Sequence, residues 1–209
     1  KKAPVEDVLR LMKQIELGVR AFHRKETLHQ DLKPDNIFIT RQNMVKIIDF
    51  GSCYIKGIAE ISTPLIRDQI LGTADYSAPE VILGYQPDGR ADLFSIAVIA
   101  FEMLAGELPF KGQLAKCHTR QDFLKLDYVG VHQLNPMVPE WIDKVLKQAM
   151  SIESTFRQAD TCEFIHQLST PKQEREMKVN VPFIDRNPLK FWQITSIILF
   201  LLLVISLVN

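Results

Sequence analysis

The sequence predicts a mainly α-helical domain with one short β-hairpin, followed by a polar linker and a single terminal apolar helix. Three observations carry that prediction. An apolar stripe recurs at helical spacing between Val5 and Phe22, the run from Asp92 to Ala105 is apolar on nearly every face, and the last 19 residues carry no charge. The 209 residues fit one ordinary domain and little more. Lysine and arginine number 25, aspartate and glutamate 25, so the formal charge is zero. That balance excludes a typical nucleic-acid binder, whose affinity rests on clustered basic charge. With 46% hydrophobic and 24% charged residues, the composition is that of a folded domain and not of a disordered segment.

The first element covers residues 4–25. Val5, Val8, Leu9, Met12, Ile15, Val19 and Phe22 share one helical face. Pro4 suits a first turn, and Glu6 and Asp7 suit the positive end of the helix dipole. Two strand-like runs follow, Ile37-Phe38-Ile39 and Val45-Lys46-Ile47-Ile48, and the turn-prone Arg41-Gln42-Asn43 between them makes a hairpin. Residues 49–80 lack sustained periodicity and are punctuated by Gly51, Gly57, Pro64 and Gly72, as in a functional or disordered loop. The run 92–105 is too short for a membrane span and belongs in the middle of a globular core, with Gly106 and Pro109 as stop signals. Two further helices are expected at 139–150 and 160–168, joined by a connection at 151–157.

Residues 171–188 are polar and charged, the composition of a juxtamembrane linker. Residues 191–208 are apolar except for Gln193, Thr195, Ser196 and Ser206. As a helix they would measure about 27 Å, close to the hydrocarbon thickness of a bilayer, so a membrane span is expected. Arg186 and Lys190 orient the preceding side toward the cytoplasm, and Trp192 suits the interfacial belt. Cys53, Cys117 and Cys162 are widely spaced, which fits a reducing compartment better than a disulfide framework or a zinc knuckle. The opening Lys-Lys-Ala-Pro reads as an internal stretch of a longer chain.

The chemistry lies in His29-Gln30-Asp31-Leu32-Lys33-Pro34-Asp35-Asn36, followed by Asp49-Phe50-Gly51 and then by Gly72-Thr73-Ala74-Asp75-Tyr76-Ser77-Ala78-Pro79-Glu80. In this order and at this spacing they resemble the catalytic loop, metal-binding turn and Ala-Pro-Glu motif of protein kinases. The resemblance covers residues 3–168 and implies the C-terminal lobe of the kinase-like fold. It implies ATP as co-substrate, Mg²⁺ as cofactor and a protein Ser/Thr hydroxyl as acceptor. Asp31 would accept the proton of the attacking hydroxyl. Lys33 would stabilise charge on the transferring phosphate, and its presence two residues after Asp31 is similar to Ser/Thr-specific kinases. Asn36 and Asp49 offer Mg²⁺ the neutral and anionic oxygens it takes. Thr73 matches the threonine that bridges Asp31 and Lys33. Phe38 lines the adenine floor or is a plain core residue. His29 is expected as a packed core histidine near Phe50, Cys53 as inert, and His118, His132 and His166 as surface or core histidines without metal spacing. Asp92 matches the aspartate that holds the catalytic-loop backbone, and Arg157 the arginine that pairs with Glu80.

The pattern departs in two places. Residues 1–209 contain no Gly-x-Gly-x-x-Gly loop and no Val-Ala-Ile-Lys strand, so the parts that cover the nucleotide from the other lobe are not encoded here. Gln30 stands where many regulated kinases have an arginine that receives an activation-loop phosphate. The stretch Asn187-Pro-Leu-Lys-Phe-Trp-Gln193 leads into the terminal span. With the motifs above, it is similar to the end of bacterial bifunctional kinase/phosphatases, which implies a phosphatase domain upstream and anchorage in the bacterial cytoplasmic membrane with the kinase portion cytoplasmic. The expected organisation is a kinase lobe at 1–168, a linker at 169–190 and a membrane helix at 191–208. The competing expectation is a membrane-tethered pseudokinase scaffold, against which the intact Asp31, Lys33, Asn36 and Asp49 speak.

Overall fold

In the computed structural model, which describes residues 2–55 and 74–170 together with Trp192, Gln193 and Ser196, the N-terminal stripe forms helix α1, Val5–His23. Its buried side chains are Val8, Met12, Ile15, Glu16 and Val19, spaced by three and four. Glu16 tolerates burial because Arg20, one turn on, reaches its carboxylate at 3.2 Å.

The expected hairpin is present. Strand β2, Ile37–Ile39, pairs antiparallel with β3, Val45–Ile47, in the register Ile37↔Ile47, Phe38↔Lys46 and Ile39↔Val45. The reversal between them places Asn43 at φ 56°, a left-handed conformation that asparagine tolerates. Gln14 of α1 stitches the hairpin to the helix: its Oε1 accepts from the Val45 N–H at 3.0 Å and its Nε2 donates to the Asn43 carbonyl at 3.1 Å.

A second, two-residue ladder joins β1, Thr27–Leu28, to β4, Tyr54–Ile55. The expectation of no regular structure over 49–80 is corrected here, because a pair contributed half by a distant segment has no local periodicity to display. The one-turn helix α2, Pro79–Ile82, falls in the same stretch. Residues 56–73, Thr73 among them, lie outside the described residues.

Helix α3, Gly89–Ala105, is the centre of the core. Leu93, Phe94, Ile96, Ala97, Val98, Ala100 and Phe101 are all fully buried. Each large side chain taken out of water in this way contributes about 1.5–3 kcal/mol. The helix starts three residues before Asp92 because the Asp88 side chain caps it, accepting from the Arg90 N–H at 2.8 Å. It ends at Gly106, whose φ of 81° only glycine adopts without strain. Around α3 pack α1, α5 (Val131–Leu134), α6 (Glu140–Ala149) and α7 (Thr161–Ser169). Asp160 caps α7 by accepting from the Glu163 N–H at 2.8 Å. The short α4, Arg120–Leu124, opens with a reciprocal capping box between Thr119 and Asp122. That hydroxyl, with the backbone N–H groups of His118 and Thr119, holds the Asp122 carboxyl below the usual range.

The chain divides into two units, Lys1–Pro171 and Lys172–Asn209. In the second, only Trp192, Gln193 and Ser196 are described, and they are helical and exposed. The expected linker at 171–188 and, apart from these three residues, the expected span at 191–208 lie outside the described residues. Among the described residues no helix is long and apolar enough to cross a membrane.

Candidate active site

Residues 29–36 run between β1 and β2, and the buried side chain of Asp92 holds the start of their backbone. Asp92, fully buried in the first turn of α3, accepts from the His29 N–H at 2.9 Å through Oδ2 and from the Gln30 N–H at 2.9 Å through Oδ1. Two adjacent amides on one carboxylate fix the direction of the chain. Gln30 lies at φ 63°, a left-handed conformation that a non-glycine residue adopts only when its surroundings impose it.

The next residue is Asp31, and it lies in a polar cluster with Lys33 and Asn36. Pro34–Asn36 forms a 3-10 turn that carries the buried Asn36 side chain back toward Asp31. Asn36 Nδ2 donates to the Asp31 carbonyl at 2.7 Å and to Asp31 Oδ2 at 2.9 Å. Lys33 Nζ stands 3.0 Å from the same Oδ2. The other oxygen, Asp31 Oδ1, is buried and has no hydrogen-bond partner among the described residues. A buried carboxylate oxygen without a partner is costly, and this one is free to accept from a donor that a ligand brings.

Asp49 follows β3 and is tied to the cluster through the backbone: the Ile48 N–H donates to the Asn36 carbonyl at 2.9 Å. Asp49 is also left-handed, at φ 65°, and its Oδ1 accepts from the Gly51 N–H at 3.2 Å, an Asx-turn that holds the bend. Its side chain is exposed. The residues fit a hard divalent cation: Asn36 spends its nitrogen on Asp31 and keeps its amide oxygen, and Asp49 adds an anionic oxygen. Asp31, Lys33 and Asn36 are thus in mutual contact, Asp49 is joined to them through β3, and Thr73 lies outside the described residues.

Aromatic packing backs the loop. The ring of His29, fully buried, meets Phe22 edge-on at 5.9 Å and Phe50 at 5.8 Å, while Phe22 and Phe50 stand 5.2 Å apart. His29 is therefore the packed core histidine expected from the sequence. Phe38 is not a core residue, since 57% of it is exposed on β2. Cys53 is half-buried, and burial first, then the charges of Asp92 and Asp49, push its thiol upward, which keeps it protonated and inert. The three cysteines are free thiols, His118 and His166 are exposed, and His132 is half-buried.

Further from the loop, Arg157 and Glu80 pair as expected, and Tyr76 donates to Glu102 Oε2 at 2.6 Å. Burial and that carboxylate push the Tyr76 hydroxyl far above the ordinary phenol range, so it remains a donor. One residue at the site has no signature in the local sequence. His23, the last residue of α1, places Nε2 2.8 Å from Asp92 Oδ2. Its partner lies on a helix that begins far along the chain, and only the three-dimensional fold brings them together.

Comparison with known proteins agrees with this geometry. The protein kinase domain family matches residues 1–175. Among curated relatives, the serine/threonine-protein kinase Pkn1 of Myxococcus xanthus is 41% identical over 111 residues, covering 51% of this chain and 16% of the relative. PknA of Corynebacterium glutamicum is 30% identical over 152 residues, 72% of this chain and 30% of the relative. PrkC of Bacillus subtilis is 27% identical over 158 residues, 76% of this chain and 24% of the relative. The chain thus spans less than a third of the length of each of these relatives.

Proposed function

The chain belongs to the protein kinase family, and from that premise we propose that it carries the phosphoryl-transfer residues of a bacterial protein Ser/Thr kinase. The single observation that carries the reading is the Asp31–Asn36–Lys33 cluster with one buried carboxylate oxygen left for a donor. Asp31 orients the acceptor hydroxyl and takes its proton at that oxygen. Lys33 holds Asp31 in place and adds positive charge beside the transferring phosphate. Asn36 fixes Asp31 from below and, with Asp49, would hold Mg²⁺. The metal would neutralise phosphate charge when bound. Thr73, by the motif resemblance alone, would add a hydroxyl to this set, and the exposed Phe38 would supply an apolar floor for adenine.

The same reading extends to organisation. Residues 1–168 form the C-terminal lobe alone, 191–208 anchor it in the bacterial cytoplasmic membrane with the kinase portion cytoplasmic, and a phosphatase domain lies upstream in the full-length protein. Support for the anchor is the uncharged stretch of 191–208. Support for the single lobe is that residues 1–209 contain no Gly-x-Gly-x-x-Gly loop and no Val-Ala-Ile-Lys run. Alone, these residues would then hold the phosphates from one side only and show no turnover.

The test is transfer of labelled γ-phosphate by the full-length protein to a Ser/Thr acceptor, against an Asp31→Asn control. Loss of transfer in the variant, with ATP binding retained, is expected. Equal transfer by wild type and variant rejects the reading. Residues 1–209 in detergent should give no transfer above the same control.

A further inference from the structure

The chain is neutral as a whole, but its charge is not spread evenly. From residue 10 to residue 25 it carries Arg10, Lys13, Arg20, Arg24 and Lys25 against one acid, Glu16, which is buried with Arg20 beside its carboxylate. The fold turns these cations outward. Residues 8, 12, 15 and 19 of α1 face the core, so 10, 13, 17, 21 and 24, spaced by three and four, form the exposed stripe. Gln14, on one flank of that stripe, holds the hairpin turn through Asn43 and Val45 and so sets the turn beside the helix. Arg41, in the same turn, is exposed. The side chains of Lys13, Arg24, Lys25 and Arg41 make no hydrogen bond or ion pair among the described residues. Two large apolar side chains are left in water as well. Leu17, on the stripe itself, is 55% exposed, and Met44, between the two residues that Gln14 holds, is 58% exposed.

We propose that this face of α1, with the hairpin turn beside it, docks on the anionic surface of a phospholipid bilayer. The inference rests on the membrane-anchor reading above, because the apolar residues 191–208 are what keep a bilayer within reach, and it adds a second contact made by the first unit itself. Charge complementarity selects the occupant. A cluster of lysine and arginine on one helix face, with apolar side chains between, suits a layer of lipid phosphates over an acyl boundary. Each Lys or Arg brought to such a surface strengthens association by about fivefold, and the effect fades beyond about 10 Å at 0.1 M salt. The tether permits the contact: the 20 residues between Thr170 and Phe191 reach up to about 70 Å when extended. A unit held only by such a tether tumbles freely, whereas one held at α1 presents the same side to the bilayer throughout.

The experiment places the whole chain in lipid nanodiscs, of phosphatidylcholine alone or of an equal mixture with phosphatidylglycerol. Lysines are acetylated briefly, and the extent at each is read by mass spectrometry. Lys13 and Lys25 should be labelled about fivefold more slowly in the mixed discs. Lys116 and Lys125, exposed elsewhere on the unit, should be labelled equally in both. Salt at about 1 M, where the screening length falls to about 3 Å, should abolish the difference. Lys13→Glu/Arg24→Glu/Arg41→Glu should lose the protection at Lys25, and Lys116→Glu/Lys125→Glu should keep it. Equal labelling of Lys13 and Lys25 in the two kinds of disc overturns the proposal. So does equal protection of Lys116 and Lys125, or protection that survives in the triple variant or in high salt. Polyglutamate that protects the same lysines in phosphatidylcholine discs as strongly would assign the face to an acidic protein and overturn it equally. The anchor is read separately, from co-elution of the chain with phosphatidylcholine discs. If that co-elution fails, the anchor reading falls, and flotation with phosphatidylglycerol vesicles of the wild type but not of the triple variant still decides for the face.

Discussion

Arg157 and Glu80 lie 77 positions apart and meet in a bidentate pair, Nη1 to Oε1 at 2.6 Å and Nη2 to Oε2 at 2.8 Å. Arg157 is 3% exposed, and its remaining donors are also used: Nε donates to the Ser151 carbonyl at 2.8 Å and Nη1 to the Arg90 carbonyl at 2.9 Å. Its guanidinium also lies 4.9 Å from the centre of the Phe94 ring. One side chain therefore ties α2, the start of α3 and the 151–157 connection together. Removing one partner of a buried pair strands the other charge and costs about 3–5 kcal/mol. Arg157→Ala should lower the urea midpoint accordingly, and Arg157→Lys should recover little because the fork geometry is lost. An alanine variant that melts with wild type would show the pair to be idle.

On the proposed reading, Asp31 serves the acceptor hydroxyl and Asp49 the nucleotide-bound metal, so their variants should differ. Asp49→Asn in the full-length kinase should weaken Mg·ATP binding as well as transfer, whereas Asp31→Asn should spare binding. Titration of a fluorescent ATP analogue with and without Mg²⁺ separates the two. Equal losses of affinity in both variants would reject the division.

Gln30 is held at φ 63° by the Asp92 hydrogen bond to its amide. Gln30→Gly should leave stability within about 1 kcal/mol of wild type or raise it, because glycine adopts this conformation freely. Gln30→Val should destabilise by about 1–3 kcal/mol, since a β-branched residue is an outlier there. Urea melts of the two variants settle the matter, and a valine variant as stable as glycine would contradict the strain argument.

Gln30 also replaces the guanidinium that many regulated kinases set before the catalytic aspartate. A phosphate on Ser62 or Thr63 would find no bidentate partner there. Alanine at both positions should leave the rate of the full-length enzyme within about twofold of wild type. A drop of tenfold or more would mean that another cation receives the phosphate.

The long elements were legible because their signals are local and periodic. The spacing of Val8, Met12, Ile15 and Val19 gives the buried face of α1, and Gly106 with Pro109 marks the end of α3. Motif order also located Asp31, Lys33 and Asn36, and the structure brings them into contact. What escaped was short or non-local. The ladder Thr27↔Ile55 and Leu28↔Tyr54 is two residues long on each side, too short for any alternation to register. Helices α2, α4 and α5 span a single turn or little more, although Thr119-x-x-Asp122 was a readable start signal for α4. His23 escaped for a different reason: its contact depends on Asp92, which is not near it in the chain.

Helix α3 has consequences for how the polypeptide is made. Its surroundings come from both ends of the first unit, α1 from residues 5–23 and α7 from residues 161–169. A nascent chain that has emerged only as far as residue 150 already displays α3 with the wall made by α7 absent. The unit therefore closes late and as a whole, once α7 has left the ribosome. A stop codon before residue 160 would release a chain whose central helix lacks the wall made by α7, a better substrate for chaperones and proteases than the complete unit.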